Sequence, residues 1–373
     1  MAATRDGVVI LDISDPSAPL ETHRLSFPNE EVFSVALDGT YLFVAVTDGR
    51  IITVDALTGV TLAEVNIDVL NGASYEVLDM VLNHSHLYAK TSDGKIYVLE
   101  RIGEAYLNEV GFYQHNNGFW RRRSFLDNDI LYAATDKGYA AIDVSNPSQP
   151  ANIVEWDLFA TTNSREELVL NGSGILLLAD SSLGVNVFDI GADGLTSTYL
   201  QTLEPPIPSR GTSTVVINNG FAYAGGVNRV SAINYLSTDT GSEPPSISVT
   251  SESGDSIQEG FKFIIQTDTS DDVQVRNVDF YINDELIATD AIYPFSGTFR
   301  APLLSEGFNT LKIHAIAYDT GGNNSQSNIL NLDLTVDTTP PQILGTLPRQ
   351  DSFNKQIDRI GILPNEALEL NSI

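Results

Sequence analysis

Cysteine is absent from the 373 residues, which excludes a disulfide framework and any thiolate-bound metal. Basic side chains are scarce: 20 Lys and Arg stand against 49 Asp and Glu, for a formal charge of −29. That balance excludes the basic face a nucleic-acid partner requires and disfavours docking on an anionic membrane surface. No apolar run approaches the ~20 residues a bilayer-spanning helix needs, and no basic-then-apolar leader opens the chain. Sustained 3.6-residue periodicity is missing, so a helical solenoid is disfavoured. EF-hand spacing, Gly-Asp nonapeptides, phosphate-binding glycine loops, nucleophile elbows and metalloprotease motifs are absent too. Of five histidines, His84 and His86 flank a turn, and no third ligand recurs at a register that would complete a metal site with them.

What is present is repetition. Hydrophobic residues make up 42% and charged ones 18%, a globular composition. Five segments share one form, a short apolar strand, a glycine turn and a second strand ending in an apolar–acidic pair: 2–13, 45–56, 89–100, 133–144 and 179–190, with a degenerate sixth at 224–235. Their glycines, Gly7, Gly49, Gly94, Gly138 and Gly184, stand 42, 45, 44 and 46 residues apart. A period in the forties holding about four short strands is the sequence form of a propeller blade. In the second unit the strands are read at 31–37, 41–47, 50–55 and 61–67, parted by Asp38-Gly39, Asp48-Gly49 and Thr58-Gly59. The fold class is therefore all-β, with about six propeller units over 1–236.

Two stretches carry a family resemblance. Leu11-Asp12-Ile13-Ser14-Asp15-Pro16-Ser17-Ala18-Pro19 and Ile142-Asp143-Val144-Ser145-Asn146-Pro147-Ser148-Gln149-Pro150 resemble the LVIVD-repeat signature. The resemblance implies a propeller within multidomain bacterial surface or secreted proteins. Its physical content is structural, because Asp and Ser side chains bond turn amides and proline fixes φ. Asp12, Asp55, Asp143 and Asp189 are accordingly read as turn-formers, not catalytic carboxylates.

A polar linker over 237–244 precedes seven alternating strands over 245–337, the spacing of a β-sandwich. Val278–Asp290 and Ala315–Asn323 resemble bacterial immunoglobulin-like domains, which act mostly as stalk or adhesion modules. A second linker at Asp337–Pro341 leads into 338–373, read as the truncated start of a further module of that kind. The first unit starts in mid-blade, so truncation at both ends is expected, with a signal peptide lost alongside the missing N-terminus and an extracellular or cell-surface home.

Candidate sites are few. Asp268, Asp271 and Asp272 on one sandwich loop, with Asp319 and Asn323 on another at the same end, offer hard oxygen ligands suited to Ca²⁺; the competing reading is that Asp and Asn simply populate turns. Arg121, Arg122 and Arg123 form a run on an inner strand. They suit a carboxylate or sulfated sugar at the channel mouth, or else pair with acids of neighbouring blades such as Asp79, Glu166 and Glu167. The expected function is noncatalytic binding or adhesion, with a protein or carbohydrate ligand for the propeller and the Ig-like modules as stalk. The alternatives are an extracellular polysaccharide lyase or hydrolase with its site at the channel, or a purely structural segment.

Overall fold

A computed structural model describes the chain from Ala2 to Pro364, apart from residues 5–6, 13–17, 19, 29, 57, 68–74, 104, 116–119, 158–164, 182, 192, 205–211, 227–228, 242, 252, 339–342 and 348–360. The described elements are all β, with two single-turn 3₁₀ segments at Thr47–Gly49 and Leu304–Glu306. By contact density the chain divides into two compact units, Met1–Thr162 with Pro341–Ile373, and Asn163–Pro340.

The first unit holds four antiparallel meanders. Their strands are Ala2–Thr4, Gly7–Asp12 and Leu20–Ser26; Val32–Asp38, Tyr41–Val46, Arg50–Asp55 and Thr61–Asn66; Val77–Leu82, His86–Thr91, Lys95–Ile102 and Tyr106–Gln114; and Trp120–Asp127, Ile130–Thr135, Gly138–Asp143 and Ala151–Asp157. Each sheet keeps sequence order, as a propeller blade does. The middle strands are apolar on both faces because both faces are covered. Phe43 and Ala45 pack toward Met80, Leu87 and Tyr97 of the third sheet. Leu42, Val44 and Val46 turn the other way and meet Val8 of the first. Tyr88, Ile96 and Val98 meet Leu131, Ala133 and Ile142 of the fourth. Each such apolar side chain, fully withdrawn from water, contributes roughly 1.5–3 kcal/mol. Alternation along the strand thus persists, but it separates two cores instead of core from solvent.

Two irregularities recur. Between the last two strands of a sheet the register shifts at Ile10/Leu11, Thr53/Val54, Val98/Leu99, Ala141/Ile142 and Val187/Phe188. A second shift opens the innermost strand, at Val32/Ser34, Val77/Asp79, Trp120/Ser124, Arg165/Leu168 and Thr212/Thr214. Bulges of this kind increase twist and re-aim side chains. At Gly111, on the outer strand of the third sheet, a Cβ would lie 2.5 Å from the Pro147 carbonyl oxygen, so the absent side chain lets two backbones touch.

The second unit contains two more meanders of the same kind and the sandwich. The meanders are Arg165–Leu170, Ile175–Asp180, Gly184–Asp189 and Thr198–Leu203, then Thr212–Asn218, Phe221–Gly226 and Arg229–Ile233. In the sandwich, Ser246–Ser251, Lys262–Ser270 and Ser296–Arg300 form one sheet. Ser256–Gln258, Leu330–Thr335, Thr310–Asp319, Val275–Ile282 and Glu285–Asp290 form the other, with Asn324–Gln326 paired to Thr310–Asp319. Ser256–Gln258 runs parallel to its neighbour; the other pairings are antiparallel. Val249, Phe263, Ile265 and Phe299 of one sheet face Val278, Phe280, Leu311, Ile313 and Leu332 of the other. Ile343–Leu347, which belongs to the first unit, pairs with Gly361–Pro364.

Candidate functional site

Three segments of the second unit converge at one end of the sandwich. The connector after Ile233 brings Asp239. The loop between Lys262–Ser270 and Val275–Ile282 brings Asp271 and Asp272, and the end of strand Thr310–Asp319 brings Asp319. The last two are neighbours because Val275 pairs with Asp319 across the ladder. One carboxylate oxygen from each of Asp239, Asp271 and Asp272 lies within 4.8 Å of one from each of the others. At that separation two carboxylates repel by about 1–3 kcal/mol at surface-like dielectric.

Each side chain does local work with part of its oxygen capacity. Asp239 Oδ1 accepts the Gly241 N–H at 2.9 Å. Asp271 Oδ2 accepts the N–H groups of Val273 and Gln274 at 3.0 and 2.8 Å. These are the short-range turns that Asp favours. The remaining oxygens, Asp239 Oδ2 and Asp271 Oδ1, are buried and meet no hydrogen-bond donor. Asp239 is 7% exposed. Burial, above all, raises the Asp271 carboxyl above its ordinary range; its two turn amides pull the other way, and the charges of Asp272 and Asp319 add to the rise. An all-oxygen, all-anionic donor set of this kind is what a hard cation takes.

The sequence-derived residues separate here. Asp271 and Asp272 belong to the cluster. Asp319 is wholly buried beside it, but its oxygens accept Gly322 N–H at 2.6 Å, Asn323 N–H at 2.7 Å and Asn323 Nδ2 at 2.8 Å. It therefore shapes its loop. Asn323 also points its amide nitrogen at the Gly241 carbonyl, 3.4 Å away. Asp268 lies inside strand Lys262–Ser270 opposite Ser248, exposed and outside the cluster. Asp239 was not among the residues singled out from sequence; its only local signal is the turn pattern Asp239-Thr240-Gly241 within a polar linker.

Arg121, Arg122 and Arg123 fall within a register break: Trp120 pairs with Thr135 and Ser124 with Ala133, leaving three residues opposite Ala134. The side chains of Arg121 and Arg122 lie outside the described residues, and Arg123 is exposed. Asp79 bonds the Ser124 N–H at 2.5 Å and stands 3.9 Å from the buried Lys90 Nζ. The repeat carboxylates are turn-formers. Asp55 Oδ1 accepts Thr58 N–H, Asp143 Oδ1 accepts Ser145 N–H and Asp189 Oδ1 accepts Gly191 N–H, each at 2.9 Å. Ser145 holds the Asp143 carboxyl below its ordinary range. The Asp12 side chain lies outside the described residues. Asn83 plays the same part between His84 and His86, its Oδ1 taking Ser85 N–H at 3.0 Å and His86 N–H at 2.8 Å.

Comparison with known proteins agrees with this architecture. The LVIVD repeat family matches residues 1–26, 31–56 and 128–157, and a bacterial Ig domain matches 245–313. No curated protein matches the chain. Among solved structures, a computationally designed protein, Ika8, is 13% identical, covering 82% of this chain and 74% of its own, with a TM-score of 0.41. The extracellular domain of the putative hybrid two-component system BT4673 from B. thetaiotaomicron is 11% identical, with coverages of 89% and 48% and a TM-score of 0.47. PorZ, an essential surface component of the type-IX secretion system of Porphyromonas gingivalis, is 13% identical, with coverages of 84% and 48% and a TM-score of 0.46. The chain thus spans about half the length of the latter two. Among the described residues no helix is long and apolar enough to cross a membrane. Repeats and Ig domain are both modules of extracellular type and support a surface protein. The chain carries LVIVD repeats and, behind them in sequence, a bacterial Ig domain.

Proposed function

We propose that the chain is a noncatalytic extracellular binding protein, its repeats a recognition platform and its Ig domain a spacer. The observation that carries this reading is the use made of the repeat carboxylates. Asp55, Asp143 and Asp189 each spend an oxygen on the backbone of their own turn, leaving them as scaffold instead of acid–base pairs. Among the described repeat residues, buried Arg101 is paired with Asp38 at 2.9 Å, and the buried His115 ring shares a hydrogen bond with Glu155 at 2.9 Å. Ligand selection then falls to loops and bulges, the segments a rigid scaffold presents.

The test exposes the purified chain to an array of neutral, sulfated and uronate-containing oligosaccharides and to immobilised matrix proteins, and analyses the probes afterwards. Retention of a probe with its mass unchanged supports the reading. New reducing ends or unsaturated sugar products would replace it with a lyase or hydrolase. Retention of no probe would leave a structural segment in its place. The run Arg121-Arg122-Arg123 is the first stretch to substitute, since a register break re-aims side chains and arginine forks suit carboxylate and sulfate. Replacing all three by alanine should weaken retention of an acidic probe at least tenfold and leave neutral probes unaffected.

A further inference from the structure

The acidic cluster lies where the last repeat sheet hands the chain to the sandwich, and that junction is closely built. Tyr235, at the end of the sheet, is 1% exposed and donates its hydroxyl hydrogen bond to Gln274 of the sandwich. Gln274 in turn donates through Nε2 to the Gly220 carbonyl at 3.0 Å. The Asn219 N–H reaches the Ala291 carbonyl at 3.1 Å. Asp239 follows Tyr235 by four residues, so the connector itself supplies the most buried of the three convergent carboxylates.

Two glycines permit the approach. A Cβ on Gly321 would sit 2.8 Å from Asp239 Oδ2, and one on Gly241 would sit 3.3 Å from both Asp239 Oδ1 and Asp272 Oδ2. Backbone alone borders the carboxylates on these sides. Arg276 is the basic residue nearest in sequence, and it donates to Asn277 Oδ1 at 2.9 Å and lies over the Tyr318 ring. A turn-forming role explains one oxygen of Asp239 and one of Asp271. It leaves unexplained why the other two are buried without donors when burying an unpaired carboxylate oxygen is costly.

We propose that Asp239, Asp271 and Asp272 bind a Ca²⁺ ion that fastens the connector to the sandwich, so that the cation sets the stiffness of the repeat-to-Ig junction. Ca²⁺ suits the donors better than Mg²⁺, since it takes 6–8 oxygens at flexible geometry and fills its shell with carbonyls and water. Asp319 acts one step back: it holds the loop that brings Gly321 against Asp239. The inference is independent of what the repeats recognise.

The experiment uses the full chain freed of metal by a chelator and titrated with CaCl₂ or MgCl₂. Calorimetry reads binding and thermal unfolding, and limited proteolysis reads cleavage within 236–245. Ca²⁺ should raise the midpoint of one transition and slow connector cleavage, because a ligand selective for the folded state stabilises it by mass action. Asp272→Asn, which alters an exposed side chain, and Asp239→Asn should each weaken Ca²⁺ binding at least tenfold and abolish the protection. Gly321→Ala removes no carboxylate but should weaken binding by displacing Asp239. Asp268→Asn should behave as the unaltered chain. An equal response to Mg²⁺, no response to Ca²⁺, or a response unchanged in both Asp239→Asn and Asp272→Asn would overturn the proposal. Metal-free circular dichroism of each variant tells a lost site from a lost fold; if Asp239→Asn fails to fold, Asp272→Asn decides.

Discussion

Asn283 and Asp284 both adopt positive φ, 53° and 64°, and join Val275–Ile282 to Glu285–Asp290 through a two-residue turn with Ile282 opposite Glu285. This is the turn whose twist matches that of the strands it joins. Asn283 Oδ1 accepts the Lys312 N–H at 3.0 Å, and Lys312 Nζ bonds both Asp284 oxygens at 2.8 and 3.2 Å. The bond from Lys312, more than its charge, holds the Asp284 carboxyl below its ordinary value of 3.8. The folded state therefore takes up that proton less readily than the unfolded one. Stability from the pair is present above the ordinary value and lost as pH falls through the lowered one. Thermal midpoints measured between neutral and acid pH should show this loss, small because the pair is exposed, and Asp284→Asn should remove it. An identical acid limb in the variant would overturn the assignment. The local turn signal is the pair Asn283-Asp284, but Lys312, which bonds both residues, is distant along the chain. Asp239 shows the same limit: its turn is local, but its meeting with Asp271 is tertiary.

Strands were legible wherever turn chemistry brackets them. The second repeat was read at 31–37, 41–47, 50–55 and 61–67 and is found at Val32–Asp38, Tyr41–Val46, Arg50–Asp55 and Thr61–Asn66. The recurrent register shifts were not legible, since a bulge adds residues without a residue type of its own. Arg101 was missed as well. It sits near the end of strand Lys95–Ile102, its side chain 1% exposed, and bonds Asp38 of the neighbouring sheet at 2.9 Å. Its guanidinium also donates to the carbonyls of Asn83 and His84 at 2.9 and 3.0 Å and lies over the Phe43 ring. One planar fork thus ties a hairpin turn to the sheet before it. Arg101→Met should cost about 3–5 kcal/mol, because Asp38 is left without its counter-charge in a largely buried place. Adding Asp38→Asn should recover part of that loss; denaturant unfolding of both variants measures it. A cost below 1 kcal/mol for Arg101→Met would mean that water reaches Asp38.

Across the whole molecule the charge of −29 outweighs any pair. Like charges at this density repel most in the compact state, and salt screens them over about 10 Å at 0.1 M. Raising NaCl from a few millimolar to a few tenths molar should therefore raise the thermal midpoints, although it weakens exposed pairs such as Arg24–Glu21. A fall with salt would show that local pairs outweigh the net field. The repeat period was the most legible feature at this scale, because each blade restates the same glycine turn and the same apolar–acidic close. The convergence of connector and loops was illegible, because no period repeats it.

One property of the repeat strands constrains how such a chain changes length. Tyr41–Val46 and Arg50–Asp55 are buried almost end to end, and their two faces belong to different cores. Loss of a few residues from either strand would inject polar groups into two interfaces at once, whereas loss of about 44 residues between equivalent glycines rejoins like surface to like. Viable insertions and deletions in this region should come in whole-sheet quanta, with fractional changes confined to the turns at the rims.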